Sequence, residues 1–178
     1  MTKTQKILTI VSGVLTAIIC GVMNFALIPK IEESTKPLRC FDMSFAYSYD
    51  DAGAFIGRLS EEGRALYLHA QLPLDFVYPL AYCLFFSLLL IFLLRKKTAL
   101  LALPVALAIF DYAENIVTIV MLHIAVLPKM LATLGSALTS VKTLLMYSCF
   151  LVILICIIYR LRERNKLKKE NKSDDKQS

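Results

Sequence analysis

The sequence predicts an all-α, polytopic membrane protein, a four-transmembrane-helix bundle, and three observations carry that prediction. The chain has 178 residues, of which 57% are hydrophobic, and its mean hydropathy of +0.63 is too high for a soluble domain with a polar surface. Four apolar stretches each reach the length of about 20 residues that crosses a bilayer. Backbone groups in hydrocarbon must hydrogen-bond within their own segment, so we expect these stretches to be helices.

The four predicted spans are residues 7–28, 65–94, 98–127 and 130–159. The first of them begins like a signal peptide, with two lysines before an apolar run. The first apolar run is longer than a signal sequence needs and lacks a convincing cleavage site, so we expect an uncleaved helix. Its residues Gly13, Ala17 and Gly21 recur every four positions, which predicts close approach of another helix.

An extracytoplasmic loop, residues 29–64, is predicted between the first two spans. It carries more aromatic residues than a passive linker needs, so we expect it to be partly helical and to pack on the bundle. Asp50 is placed to cap a short helix, and Ser60 is placed to cap a second one. The second helix should continue into the second span, with a kink at Pro73 or Pro79.

The second span has one polar and aromatic face at spacings of three and four residues. The members of that face are Arg64, Tyr67, Gln71, Asp75, Tyr78 and Tyr82. Polar groups avoid lipid, so this stripe is expected to face the interior of the bundle.

The third span contains ionisable residues that are costly in hydrocarbon. Asp111, Glu114 and Asn115 share one helical face, and Lys142 lies in the fourth span. An isolated charge in a membrane costs about 2.5 to 3.5 kcal/mol, so these side chains need partners or water. The antiparallel course of the two helices predicts that Lys142 reaches Glu114 or Asp111.

The first two spans also carry polar residues, Asn24 and Asp75, near the ends that adjoin the loop. Each of the four helices therefore places a polar residue at a similar depth. This predicts a polar cavity in the outer half of the bundle, roofed by the aromatic loop. The candidate ligand-binding residues are Asn24, Arg64, Asp75, Tyr78, Tyr82, Asp111, Glu114, Asn115 and Lys142. Arg64 is expected to steer an anionic headgroup. No residue is assigned to catalysis, and the two histidines form no metal constellation.

The distribution of basic residues predicts the orientation of the chain. Thirteen Lys and Arg residues flank the spans on the side of the termini, and six flank them on the other. The more basic side should be cytoplasmic, which makes this a multi-pass cell-membrane protein with both termini inside. Residues 160–178 are expected to form a disordered basic cytoplasmic tail. Acids interrupt that tail and no aromatics accompany it, so nucleic acid is not an expected partner.

The five cysteines include no C-x-x-C pair, and only Cys40 lies in the predicted loop. This pattern argues against thiol oxidases that pass electrons through paired cysteines. No cofactor is expected.

Several motifs are distinctive in this chain. They are F-D-M-S-F-A-Y-S-Y-D-D-A from Phe41, E-E-G-R-A-L-Y from Glu61, D-F-V-Y-P-L-A-Y from Asp75, and D-Y-A-E-N from Asp111, followed by Lys142. Together they resemble the motifs of a family of uncharacterised bacterial four-helix membrane proteins. The resemblance spans roughly residues 38–142 and implies a bacterial membrane protein, with no activity assigned.

Three hypotheses for function remain open from the sequence. The first is binding of a lipid or small amphiphile in the outer-half cavity, with Asp75, Asp111, Glu114 and Lys142 as anchors. The second is a membrane scaffold or interaction subunit, including a homo-oligomer, whose buried charges are structural. The third is an enzyme acting on an amphiphilic substrate, with a carboxyl group as proton donor.

Overall fold

A computed structural model describes residues 2–95 and 98–174, with side chains to residue 165. Its helices are α1 (Lys3–Ile31), α2 (Tyr49–Arg58), α3 (Glu61–Leu94), α4 (Ala99–His123) and α5 (Lys129–Asp174). The described residues contain no β-strand. Four of the helices, α1, α3, α4 and α5, are long and apolar enough to cross a membrane. The predicted all-α class and the number of apolar helices are thereby confirmed.

The long helices alternate in direction around α3, which packs against the other three. Gln5 of α1, Arg95 at the end of α3 and Arg160 of α5 line one depression, so these parts of the chain share one end of the bundle, here called the tail end. Residues 32–60 cover the opposite end, here called the loop end. In the described part of the chain, α1 and α5 touch only sparsely. A lateral gap therefore separates them.

Wide π-helical turns interrupt α1 and α3, and each precedes a proline. Met23–Leu27 comes just before Pro29, and Tyr67–Gln71 comes just before Pro73. Proline has no N–H and its ring collides with the carbonyl four residues earlier, and a wider turn relieves that collision. The helix disturbance predicted at Pro73 or Pro79 thus lies at Pro73, whereas an α-helix runs through Pro79.

The helix starts in the loop follow from local capping. The Ser48 hydroxyl accepts a hydrogen bond from the Asp51 amide at 3.1 Å, and the Asp51 carboxylate accepts one from the Ser48 amide. Ser48 is therefore the cap of α2, and the prediction that Asp50 caps it was wrong, because Asp50 lies inside the first turn. Ser60 caps α3 as predicted, accepting from the Gly63 amide at 3.0 Å.

The last helix continues past residue 159, where the sequence predicts that a disordered tail begins. Residues 160–170 include no glycine or proline and consist mainly of Arg, Lys, Leu and Glu, which favour helix. Arg160 also donates a 3.3 Å hydrogen bond to the Leu93 carbonyl at the end of α3. Of the predicted tail, residues 175–178 lie outside the described residues.

Two hydrophobic clusters fill the bundle. Phe41 and Phe55 from the loop insert into the loop-end cluster, where each is 1% exposed and their ring centroids lie 4.9 Å apart. Tyr82, Phe86 and Leu90 of α3 form the centre of the tail-end cluster. The loop therefore packs on the bundle, as its aromatic content predicts.

Candidate functional site

Lys142 lies at the centre of a cluster of carboxyl groups between the two hydrophobic clusters. Its Nζ forms an ion pair with Glu114 Oε2, and it lies 3.5 Å from Asp111 Oδ1 and 4.0 Å from Asp42 Oδ1. The sequence predicts Glu114 or Asp111 as the partner, and the structure brings both to the lysine. Asp42, from the loop, is a third acid that the sequence reasoning missed.

Glu114 is fully enclosed and serves to position the lysine. Its other carboxylate oxygen accepts a hydrogen bond from the Thr139 hydroxyl, whose single proton is shared with the Gly135 carbonyl oxygen 3.1 Å away. The glutamate thus joins α4 to two turns of α5. Removing either Glu114 or Lys142 would leave the other as an uncompensated buried charge.

The aspartates of α3 and α4 are held by hydrogen bonds between and along the helices. The Tyr82 hydroxyl donates to Asp111 Oδ2 at 2.9 Å, and Gln71 Nε2 donates to Asp75 Oδ2 at 3.1 Å. Asn115 Nδ2 donates to the backbone carbonyl of Asp75 at 2.8 Å. These bonds fix the carboxyl groups relative to α3 and α4.

The loop is fastened to α5 by polar contacts that bring Asp42 over the cluster. The Ser140 hydroxyl donates to the Phe45 carbonyl at 2.9 Å, and the Tyr47 amide donates to Ser136 Oγ at 3.0 Å. Burial, and secondarily a nearby carboxylate, raises the pKa of the Tyr47 hydroxyl above its ordinary value, which favours its neutral form. The only sequence signal for Asp42 was an acid set between Phe41 and Met43.

A cavity of about 220 Å³ opens beside this cluster, between the four long helices and the loop. Its polar wall consists of Asp42, Gln71, Asp75, Asp111 and Lys142, with Tyr78 beside them. The other lining residues are Met23, Asn24 and Ile28 of α1, Met43 of the loop, and Thr143, Met146 and Tyr147 of α5. Met43 and Tyr147 are exposed and Thr143 is half-buried, so the mouth lies at these residues. The lining contributed by α3 and α4 is therefore polar, and that contributed by α1 and the following turn of α5 is mostly apolar.

Five of the nine predicted ligand-binding residues line this cavity: Asn24, Asp75, Tyr78, Asp111 and Lys142. The other four, Arg64, Tyr82, Glu114 and Asn115, do not. Tyr82, Glu114 and Asn115 contact lining residues from behind. Seven lining residues outside the predicted polar stripe and cluster were missed, because only the packing of α1, α5 and the loop brings them to one cavity.

Arg64 has a different role from the predicted one. Its guanidinium donates to the Leu122 carbonyl near the end of α4, and to the Ile56 carbonyl near the end of α2 at 3.3 Å. A cation at helix C-termini satisfies free carbonyls and opposes the helix dipole. Arg64 therefore joins helix ends at the loop and does not reach the cavity.

Comparisons with protein-family models, curated proteins and solved structures find no match to this chain. The family resemblance drawn from the motifs stays a prediction.

Three buried oxygen atoms on the cavity wall have no hydrogen-bond partner. They are Oε1 of Gln71 and both carboxylate oxygens of Asp42. Gln71 is fully buried, and its amide nitrogen already donates to Asp75. A buried polar atom without a partner costs about 1 to 3 kcal/mol, so these acceptors mark a place where a donor belongs.

Proposed function

We propose that this chain is an integral membrane protein that binds a lipid or small amphiphile in the cavity between α1 and α5. The supporting observation is the mixed lining of the cavity, which combines charged side chains with the apolar side chains of Met23, Ile28 and Met146. An amphiphile has the same division, with a polar head and an apolar tail. Sites for small molecules combine apolar walls with a few convergent polar groups in this way.

The size of the cavity suits a headgroup. Its 220 Å³ equals the volume of about seven liquid water molecules at roughly 30 Å³ each. The tail would lie in the gap between α1 and α5, beside Tyr147, a lining residue that is 66% exposed. Such an exposed aromatic side chain suits contact with acyl chains.

We further propose that both termini are cytoplasmic and that the cavity lies in the outer half of a cell membrane. The excess of Lys and Arg on the side of the termini supports this orientation, as does the grouping of Gln5, Arg95 and Arg160 at one end. Trypsin should remove the basic tail in inverted membrane vesicles and spare it in sealed right-side-out vesicles. Cleavage in right-side-out vesicles alone would reverse the orientation.

Native mass spectrometry of the full chain, purified in a mild detergent, tests the binding function. We expect a retained adduct with the mass of a lipid or another amphiphile. Thr143→Trp should fill the cavity mouth and abolish the adduct, whereas Leu144→Trp, on a neighbouring residue that is 56% exposed, should leave it unchanged. A wild-type chain without an adduct, or an adduct that survives Thr143→Trp, would contradict the proposal.

The alternative is a membrane scaffold whose buried charges only fix the order of the helices. The enclosed ion pair of Glu114 with Lys142 favours this reading, because it joins α4 to α5 whether or not the cavity is filled. The same spectra separate the two functions. A stable oligomer or complex without bound amphiphile would support the scaffold.

A further inference from the structure

We infer that the ligand of the cavity presents a primary ammonium group to the polar wall of the cavity. This inference rests on the proposed binding of an amphiphile and specifies its headgroup. Two features of the cavity wall carry it: the kind of polar atom that lacks a partner, and the balance of charge.

The unpartnered atoms on the wall are all hydrogen-bond acceptors. Gln71 must turn its amide nitrogen toward the carboxylate of Asp75, so its Oε1 is the end left free. Asp42 contributes two further oxygens without a hydrogen-bond partner. A primary ammonium group has three N–H donors. It can therefore donate to Gln71 Oε1 and to the Asp42 carboxylate at the same time.

The charge of the wall favours a cation. Asp42, Asp75 and Asp111 line the cavity, and Lys142 is the only basic side chain among its lining residues in the described part of the chain. That lysine pairs with Glu114 behind the wall and also contacts Asp111 and Asp42, so one cation serves three carboxyl groups. An added ammonium group would offset the excess of carboxyl groups, whereas an added anion would be repelled by them.

Two aspartates of the wall, Asp42 and Asp75, line the cavity together with Gln71. An ammonium group beside them can donate to both, and such charge-assisted bonds are about twice as strong as neutral ones.

A quaternary ammonium group fits this wall poorly. It carries no N–H donor, and proteins bind it in cages of aromatic rings. The aromatic residues that line this cavity are Tyr78 and Tyr147, and Tyr147 lies at the mouth. The acceptor-rich wall therefore selects N–H donors over methylated nitrogen.

The first test uses the full-length wild-type chain in a neutral detergent at pH 7, with probes that share one tail. We expect decylamine to raise the melting temperature and to bind at least about tenfold more tightly than decyltrimethylammonium or decanol. One charge-assisted hydrogen bond accounts for such a ratio. Equal binding of the three probes would overturn the ammonium inference and leave amphiphile binding standing. Failure of all probes, with no lipid adduct in native spectra, would reject both.

The second test distinguishes a lipid headgroup from a free amine. Native mass spectra are recorded after mixing with phosphatidylethanolamine, phosphatidylcholine or phosphatidylglycerol. Selective retention of phosphatidylethanolamine identifies a lipid ammonium group, and retention of decylamine with none of the lipids identifies a free amine. Preference for phosphatidylglycerol would contradict the inference.

A pair of variants connects the ammonium group to the wall. Asp42→Asn should weaken decylamine binding at least about tenfold, because one charge-assisted interaction is lost. Asp50→Asn makes the same change on the exposed surface of α2 and should leave binding unchanged. Equal affinities of the two variants would overturn the assignment of Asp42. If Asp42→Asn lowers the melting temperature of the free protein, the relative affinities of the wild-type chain for the three probes decide whether the ammonium inference holds.

Discussion

Nζ of Lys142 lies 4.0 Å from Oδ1 of Asp42, and this contact joins the loop to the first third of α5. The same lysine pairs with Glu114 and approaches Asp111 on α4. One side chain thus connects the roof of the cavity to its wall. Lys142 therefore has a structural role, because it joins the loop and α4 to α5, and it also lines the proposed ligand-binding cavity.

Replacing Lys142 by alanine should strongly destabilise the protein. The change leaves the enclosed Glu114 and the nearby Asp111 without their cation, and breaking a buried pair costs about 3 to 5 kcal/mol. Unfolding in detergent, followed by circular dichroism, measures the loss. Lys129→Ala removes an exposed lysine from the first turn of the same helix and should change stability by less than about 0.5 kcal/mol. Unchanged melting of Lys142→Ala would contradict a structural ion pair.

Two tyrosine variants compare the stability contributed by a buried hydrogen bond to a carboxylate with that contributed by a hydrogen bond to a backbone carbonyl. Tyr82→Phe removes the 2.9 Å bond to Asp111 and should cost about 1.5 to 3 kcal/mol. Tyr112→Phe removes a bond of the same length to the Phe76 carbonyl and should cost about 0.5 to 1.5 kcal/mol. Both are measured by unfolding in the same detergent. The reverse order of the two losses would show that Tyr82 does not hold Asp111.

The closest approaches of helix and loop should be sensitive to a single methyl group. A Cβ at Gly135 would meet the Tyr47 hydroxyl and lie 3.3 Å from side-chain carbons of Met121 and Val117. We expect Gly135→Ala to destabilise the protein by about 1 to 3 kcal/mol through overpacking. Gly21→Ala meets nothing within 4 Å and should be neutral or stabilising, since alanine favours helix. Equal melting temperatures would argue against tight packing of Tyr47 on α5.

Cys40 should react slowly with thiol reagents in the native protein. Burial, with the charges of Asp42 and Glu32 next in size, raises the pKa of this thiol far above its ordinary value of 9.0. Because the pKa of Cys40 is raised in the folded state, its thiol contributes fully to the stability of the folded protein below pH 9.0. That contribution is lost as the pH rises above 9.0. Mass spectrometry after alkylation at pH 8 should show Cys40 modified only after denaturation.

An added cysteine on the same loop provides the control for that measurement. Ala46 is exposed, and Ala46→Cys should be alkylated readily without denaturant. If Cys40 reacts as fast as the introduced cysteine, the loop does not remain packed on the bundle.

Much of the helical framework could be predicted because it depends on local properties. Span length follows from hydropathy, and the start of α3 follows from Ser60. The buried face of α3 follows from helical periodicity, and Tyr67, Gln71 and Tyr82 are fully buried as that pattern predicts. Capping of α2 was predicted at the wrong residue because Ser48 and Asp50 are both good caps, and their backbone conformations decide between them.

The candidate site was only partly predictable. Asp75, Asp111 and Lys142 were identifiable because charges in an apolar segment are costly wherever the helices pack. Asp42 lies in the loop, where no periodicity indicates which atoms it approaches. Periodicity put Arg64 on the polar face of the second span, but it does not tell which carbonyl groups the guanidinium contacts. The gap between α1 and α5 likewise has no sequence signal, since it is defined by what does not pack there.

By itself, the sequence determined that this chain has four apolar helices and that their few charged residues require partners. Hydropathy and periodicity act over one or two turns of a helix, so they can be seen in a single segment. Tertiary structure alone decided that Glu114 pairs with Lys142 behind the wall, that Asp42 closes the cluster from the loop, and that Arg64 joins helix ends. Those outcomes depend on distances between residues far apart in the chain, which only the packing of the helices sets.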